Sequence, residues 1–170
     1  MHGLKYLAGY SEQVTTKVSQ LMADNKLGGI LAAKYPTAHD VRSDRALYEF
    51  TLQIKNEFLR KSQPLDKVAY DGNLSVINNA LGMHSFVSRI QGAKLKAKHE
   101  IRIASIFKEA PVDFLKMIVV HELAHLKEKE HNKAFYQLCG HMEPAYQQLE
   151  FDTRLYLTHV ESAGSPIYRP

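Results

Sequence analysis

A single cysteine, Cys139, is present among 170 residues, so no disulfide can close within the chain. Stability must then come from a packed core, and a reducing cytoplasm is the expected compartment. No uncharged apolar run approaches the roughly 18 residues that a membrane helix needs, so no span and no membrane partner are expected. The opening MHGLKYLAGYSEQ lacks the basic start, long apolar middle and small-residue cleavage site of a secretory leader. Tryptophan is absent against nine tyrosines, and scattered rings such as Tyr6, Tyr10 and Tyr48 read as packing residues. Repeats, low-complexity tracts and linkers are missing too, which leaves one domain over 1–160 and a tail, ESAGSPIYRP, expected to be mobile.

What is present has an order. Val14, Val18, Leu21 and Met22 recur at helical spacing over 11–26, with Gly28-Gly29 as the expected stop. A longer helix over 38–61 carries Leu47, Phe50, Ile54 and Phe58 on one face. Val68 and Tyr70, then Asp71-Gly72, then Leu74, Val76 and Ile77 predict a β-hairpin. A strand over 85–90 follows, and the alternating KLKAKHEIRIASI of 94–106 predicts another. Ala110-Pro111 opens a helix, with Asp113 in its first turn and Lys127 and Lys129 near its end. Short helices over 132–139 and from Pro144 to about Val160 complete an α+β fold: N-terminal helices, a small, mostly antiparallel sheet, then helices.

The stretch MIVVHELAHLKEKEHNKAF carries the chemistry. On a helix His121 and His125, four apart, lie on one face about 6 Å from each other and can aim two imidazoles at one ion. Glu122 stands a quarter-turn or so away, where a general base can take a proton from water. Two ligands leave a catalytic zinc site incomplete. His131 is the best third, six residues beyond His125, with the turn expected around Lys129-Glu130; Glu128 and Glu143 are the alternatives. Chance produces His-Glu-x-x-His in roughly 3% of chains of this composition, and a further histidine in the right place cuts that about twentyfold.

With the upstream segment LGMHSFVSRIQGAKLKAKHEIRIA, the stretch VVHELAHLKEKEHNKAFYQLCGHMEP resembles the YgjP-like zinc metallopeptidase group, distantly related to SprT-like and WLM-domain proteases. The resemblance implies a minimal zincin fold, Zn2+ held by His121, His125 and His131, and Glu122 as base. It also implies an extended substrate lying along an edge strand, by order residues 99–106. Wider-family members carry Arg-Trp-Gly-Ser-Cys ahead of that strand, where this chain has Arg89-Ile90-Gln91-Gly92-Ala93, a departure that bears on the cleft rather than the metal.

Three function classes follow. The first is a metallopeptidase acting on peptide or protein. The second, a UTP pyrophosphatase, rests on the activity assigned to members of the same group and on a row of cations: Lys94, Lys96 and Lys98 alternate on a strand, flanked by Arg89 and Arg102, and suit an anionic substrate such as a nucleotide or nucleic acid. An overall charge of +4 is by itself too small to argue for nucleic acid, which stays open as a partner only through that cluster of cations. The third, a binding module stabilised by zinc, leaves Glu122 without a task. His141, Tyr136 and Tyr146 are the nearest candidates for a second oxyanion donor. His84 borders the expected cleft; His2, His39, His99 and His159 have no motif and read as structural, as does Cys139.

Overall fold

The computed structural model describes residues 2–74, 82–91, 94–164 and 167–168, with backbone alone over 2–3 and 82–98. A 3-10 segment at His2–Leu7 leads into α1 (Glu12–Ala23), α2 (Leu27–Lys34) and α3 (Asp44–Phe58). Three strands follow: β1 (Lys67–Asp71), β2 (Gly82–Gln91) and β3 (Lys94–Ala104). A second 3-10 segment, Ser105–Glu109, leads to α4 (Val112–Ala124), α5 (Lys133–Met142) and α6 (Tyr146–Ala163). The fold is therefore α+β, with a small sheet among helices.

Local chemistry sets the boundaries. The Ser11 and Ser43 hydroxyls accept from Val14 N and Ala46 N at 3.3 and 3.0 Å, capping α1 and α3. The expected stop at Gly28-Gly29 is corrected: both lie inside α2, and α1 ends at Asp24-Asn25, where Asn25 adopts a φ of +57°. Gly28 serves packing instead. A Cβ there would sit 2.6 Å from Cε1 of His159, so the missing side chain lets α6 lay its imidazole on α2.

The sheet order is β1-β3-β2, with β1 parallel to β3 and β2 antiparallel to it. This corrects two expectations. The sheet is mixed rather than mostly antiparallel, and β1 forms no hairpin across Asp71-Gly72 among the described residues. Asp71 does turn the chain, its Oδ1 accepting from Asn73 N at 2.9 Å, but residues 75–81, including Val76 and Ile77, lie outside the described set. β1 pairs with β3 instead, setting Val68 beside Ile101 and Tyr70 beside Ile103. Ile101 and Ile103 are fully buried, which the local turn signal could not reveal. A further correction concerns 99–106. Its strand part is the centre of the sheet, hydrogen-bonded on both sides, and Ser105 and Ile106 belong to the 3-10 segment. The outer strands are β1 and β2.

α4 is the spine of the core. Phe114, Leu115, Met117, Ile118, Val119, Val120, Leu123 and Ala124 are all fully buried, so the helix is apolar on every side and touches β2, β3, α3, α5 and α6. At the C-terminus α6 runs to Ala163, and Tyr168 is buried, donating its hydroxyl to Leu31 O at 3.3 Å. No helix among the described residues is long and apolar enough to cross a membrane.

Candidate metal centre

The last turn of α4 carries His121 and Glu122, and His125 caps it. The chain turns at once, with Leu126 N and Lys127 N bonding back to Leu123 O and Ala124 O at 3.0 and 3.1 Å, earlier than the expected Lys129-Glu130. It then bends back to His131. Asn132 follows as the cap of α5, its Oδ1 accepting from Phe135 N at 2.9 Å, so His131 is held against a fixed helix start.

This path brings the three histidines together. His131 Nε2 lies 3.1 Å from His125 Nε2 and 3.2 Å from His121 Nε2. Four-coordinate zinc with bonds of 2.0–2.1 Å places its ligand atoms about 3.3–3.4 Å apart, close to these separations. The outer nitrogens are engaged. His121 Nδ1 meets the Tyr146 hydroxyl at 2.7 Å, and His125 Nδ1 meets the Glu128 carbonyl at 2.9 Å. A carbonyl only accepts, so His125 carries its proton on Nδ1 and turns a bare Nε2 inward. Ring nitrogens this close are held together by a proton on one of them or by a cation among them. The donor set therefore fits a divalent ion, and no other group of histidine, cysteine or acid side chains among the described residues does.

Burial grades the site. His121 is buried, His125 half-buried and His131 exposed, so the triad opens to solvent on the His131 side. Burial first, then the neighbouring His125 and His131 and Arg154, hold His121 well below the usual imidazole pKa, keeping it neutral. Burial likewise lowers His125. Glu122 is 1% exposed, its Oε2 has no hydrogen-bond partner, and burial alone raises its pKa far above the carboxylate range. Such an orphaned oxygen calls for water or a cation beside it.

Other expected residues go elsewhere. Glu143 is taken up by Lys116 Nζ at 3.1 Å, and Glu128 offers its backbone carbonyl rather than its carboxylate. Arg102 already pairs with Asp71 at 3.1 Å and Glu100 at 3.5 Å. The side chains of His2, His84, Arg89, Lys94, Lys96 and Lys98 lie outside the described residues. His141 sits against the Phe58 ring, 5.4 Å between centroids, and Tyr136 stands 6.5 Å from the His131 ring. Cys139 is buried, its thiol pushed up to about 12 by burial, which makes it inert.

Sequence reading missed two supports. Tyr146 orients His121, although the reading had it only as an oxyanion donor. Phe135 is fully buried with its ring 4.9, 4.6 and 4.9 Å from those of His121, His125 and His131, forming an apolar floor. A ligating histidine needs a partner for its second nitrogen, but no spacing rule points 25 residues ahead to a tyrosine.

Three converging imidazoles form a group that could hold a metal ion, and the buried Glu122 is the neighbour of one of them in the chain. The chain belongs to the YgjP-like family, whose metallopeptidase domain matches residues 73–153. Among its relatives is the UTP pyrophosphatase of Escherichia coli (strain K12), 59% identical over 167 residues that cover 98% of this chain and 100% of the relative. No solved structure matches the chain significantly. Both descriptions are of hydrolases, and this chain is a hydrolase.

Proposed function

We propose that the chain is a zinc-dependent nucleoside triphosphate pyrophosphohydrolase, acting on UTP in the cytoplasm through a minimal zincin-like site. The observation that carries this reading is the 59% identity, end to end, with a UTP pyrophosphatase. The chemistry of the site supports it. His121, His125 and His131 would hold the ion, which supplies a Lewis acid that lowers the pKa of water and offsets phosphate charge. Glu122, buried and without a partner at Oε2, would be kept ionised by the positive charge of a bound ion beside it, and as the carboxylate it accepts the proton of the attacking water. The water oxygen bonds to the α-phosphorus, the bond from that phosphorus to the bridging oxygen breaks, and the products are UMP and pyrophosphate. Tyr146 and the Glu128 carbonyl fix two of the rings, and Phe135 keeps water from beneath them.

A metallopeptidase is the second reading, favoured by the family description and by the outer edge of β2, which no described strand covers. An extended peptide could pair there. Incubating the zinc-loaded protein with UTP and, separately, with an unfolded protein decides between them. UMP and pyrophosphate are expected from the first, with no cleavage of the second; the opposite pattern rejects the nucleotide reading. Glu122→Gln should keep its metal and fold while turnover falls about 10²–10⁴-fold, the usual worth of a general base.

A further inference from the structure

We infer that the β2–β3 ribbon is the triphosphate-binding element of this hydrolase, with Arg89, Lys94, Lys96 and Lys98 as its cations; the inference rests on the nucleotide reading above. The first observation is one of charge. The chain has 22 basic and 18 acidic residues, a net +4. Residues 72–99 hold Arg89, Lys94, Lys96 and Lys98 and no aspartate or glutamate, so the rest of the chain carries 18 of each sign. All of the net charge lies on this one segment. A nucleoside triphosphate at neutral pH carries about four negative charges, since each phosphate has lost its first proton and the terminal one most of its second.

The second observation is one of place. β1 pairs only with Glu100–Ala104 of β3, so the distal ribbon, residues 86–91 with 94–99, has no third strand among the described residues. Its register sets Arg89 opposite Lys96 and Gln91 opposite Lys94. β3 ends at Ala104, a 3-10 segment turns the chain, and α4, which carries His121 and Glu122, packs against both β2 and β3. The helix that leads into the triad is therefore in direct contact with the two strands of the ribbon.

Three other cations of the described residues are already engaged. Arg102 is held by Asp71 and Glu100, Lys116 by Glu143, and Arg154 by Glu150 and the Tyr6 carbonyl. Lys127 and Lys129 alternate with Glu128 and Glu130 on the turn after α4. A ribbon without acids is the surface that best complements three phosphates.

The test separates binding from turnover. UTP binding is measured by calorimetry on zinc-loaded Glu122→Gln protein, alone and with Lys94→Gln, Lys96→Gln and Lys98→Gln together, with Arg89→Gln alone, and with Lys127→Gln. Metal content and the unfolding midpoint are checked for each. The triple variant should raise Kd for UTP at least tenfold and flatten its salt dependence, Arg89→Gln should raise it severalfold, and Lys127→Gln should stay within twofold. An unchanged Kd in folded, metal-loaded triple and Arg89 variants overturns the inference, as does an equal loss from Lys127→Gln. Failure of the nucleotide reading shows separately, as UTP left intact by the protein with Glu122 in place.

Discussion

Tyr146 illustrates how much of a metal centre lies outside its ligands. Its hydroxyl is 2.7 Å from His121 Nδ1, and with His121 turning Nε2 inward, Nδ1–H donates and the hydroxyl accepts. Tyr146→Phe removes that acceptor and leaves a buried N–H unmatched, while the ring still fills its place. Metal affinity, read by competition with a chelator, should fall about 10–100-fold with little change in the fold. His39 is a second buried imidazole whose neighbours dictate its charge. Its Nε2–H donates to Phe107 O at 2.7 Å and its Nδ1 accepts from Val41 N at 2.9 Å, so a second proton would face an N–H. Burial foremost lowers its pKa below the ordinary value of about 6.5. In the window below 6.5 and above the folded value, the unfolded chain binds the proton more readily. Stability is therefore full above that window and is lost as pH falls through it. Urea midpoints of metal-loaded wild type and His39→Gln, compared from pH 7.5 to 5.5, should converge as the pH drops.

At the scale of elements, the join between α4 and α5 makes the site. α4 ends at Ala124 because the chain needs His131 back within ten residues, and Asn132 starts the next helix at once. Asn132→Ala should lower stability by about 1 kcal/mol and, by loosening His131, weaken metal binding as well. Asn132→Asp should preserve both, as chelator competition and urea unfolding would show. All the α-helices but α2 were legible in the sequence: Leu47 and Ile54 on α3, and the apolar run that buries α4, sit where periodicity placed them. The meeting of His121, His125 and His131 was legible as well, because i,i+4 spacing and a short return leave few other geometries. The partner of β1 was not. Asp71-Gly72 is a genuine local turn, but pairing with β3 is decided some thirty residues away by the burial of Val68 against Ile101, and local signals carry no such information. Asn25 stops α1 with a left-handed backbone, a role the reading gave to glycines that α2 in fact uses for packing.

For the whole molecule, the candidate centre ties the spine of the core to the two C-terminal helices, since α4 and its cap carry His121 and His125, the α4–α5 turn carries His131, and α6 the supporting Tyr146. An ion bound only to the folded state at a thousandfold excess over its Kd adds about 4 kcal/mol. For a chain of this length that is about 10 °C in Tm. Stripping with a chelator should lower the unfolding temperature by this order, and adding zinc back should restore it. An unchanged melting curve would mean that the three rings hold no ion.

The gradient of exposure across the triad also sets a route. His121 is rooted in the core, while His131 forms the outer wall. An arriving ion can meet the peripheral ring and be drawn inward without any helix separating, so the folded apoprotein is competent for uptake. Exchange should then run at the pace of one swinging imidazole rather than of global unfolding, which would leave the centre kinetically open whatever its affinity.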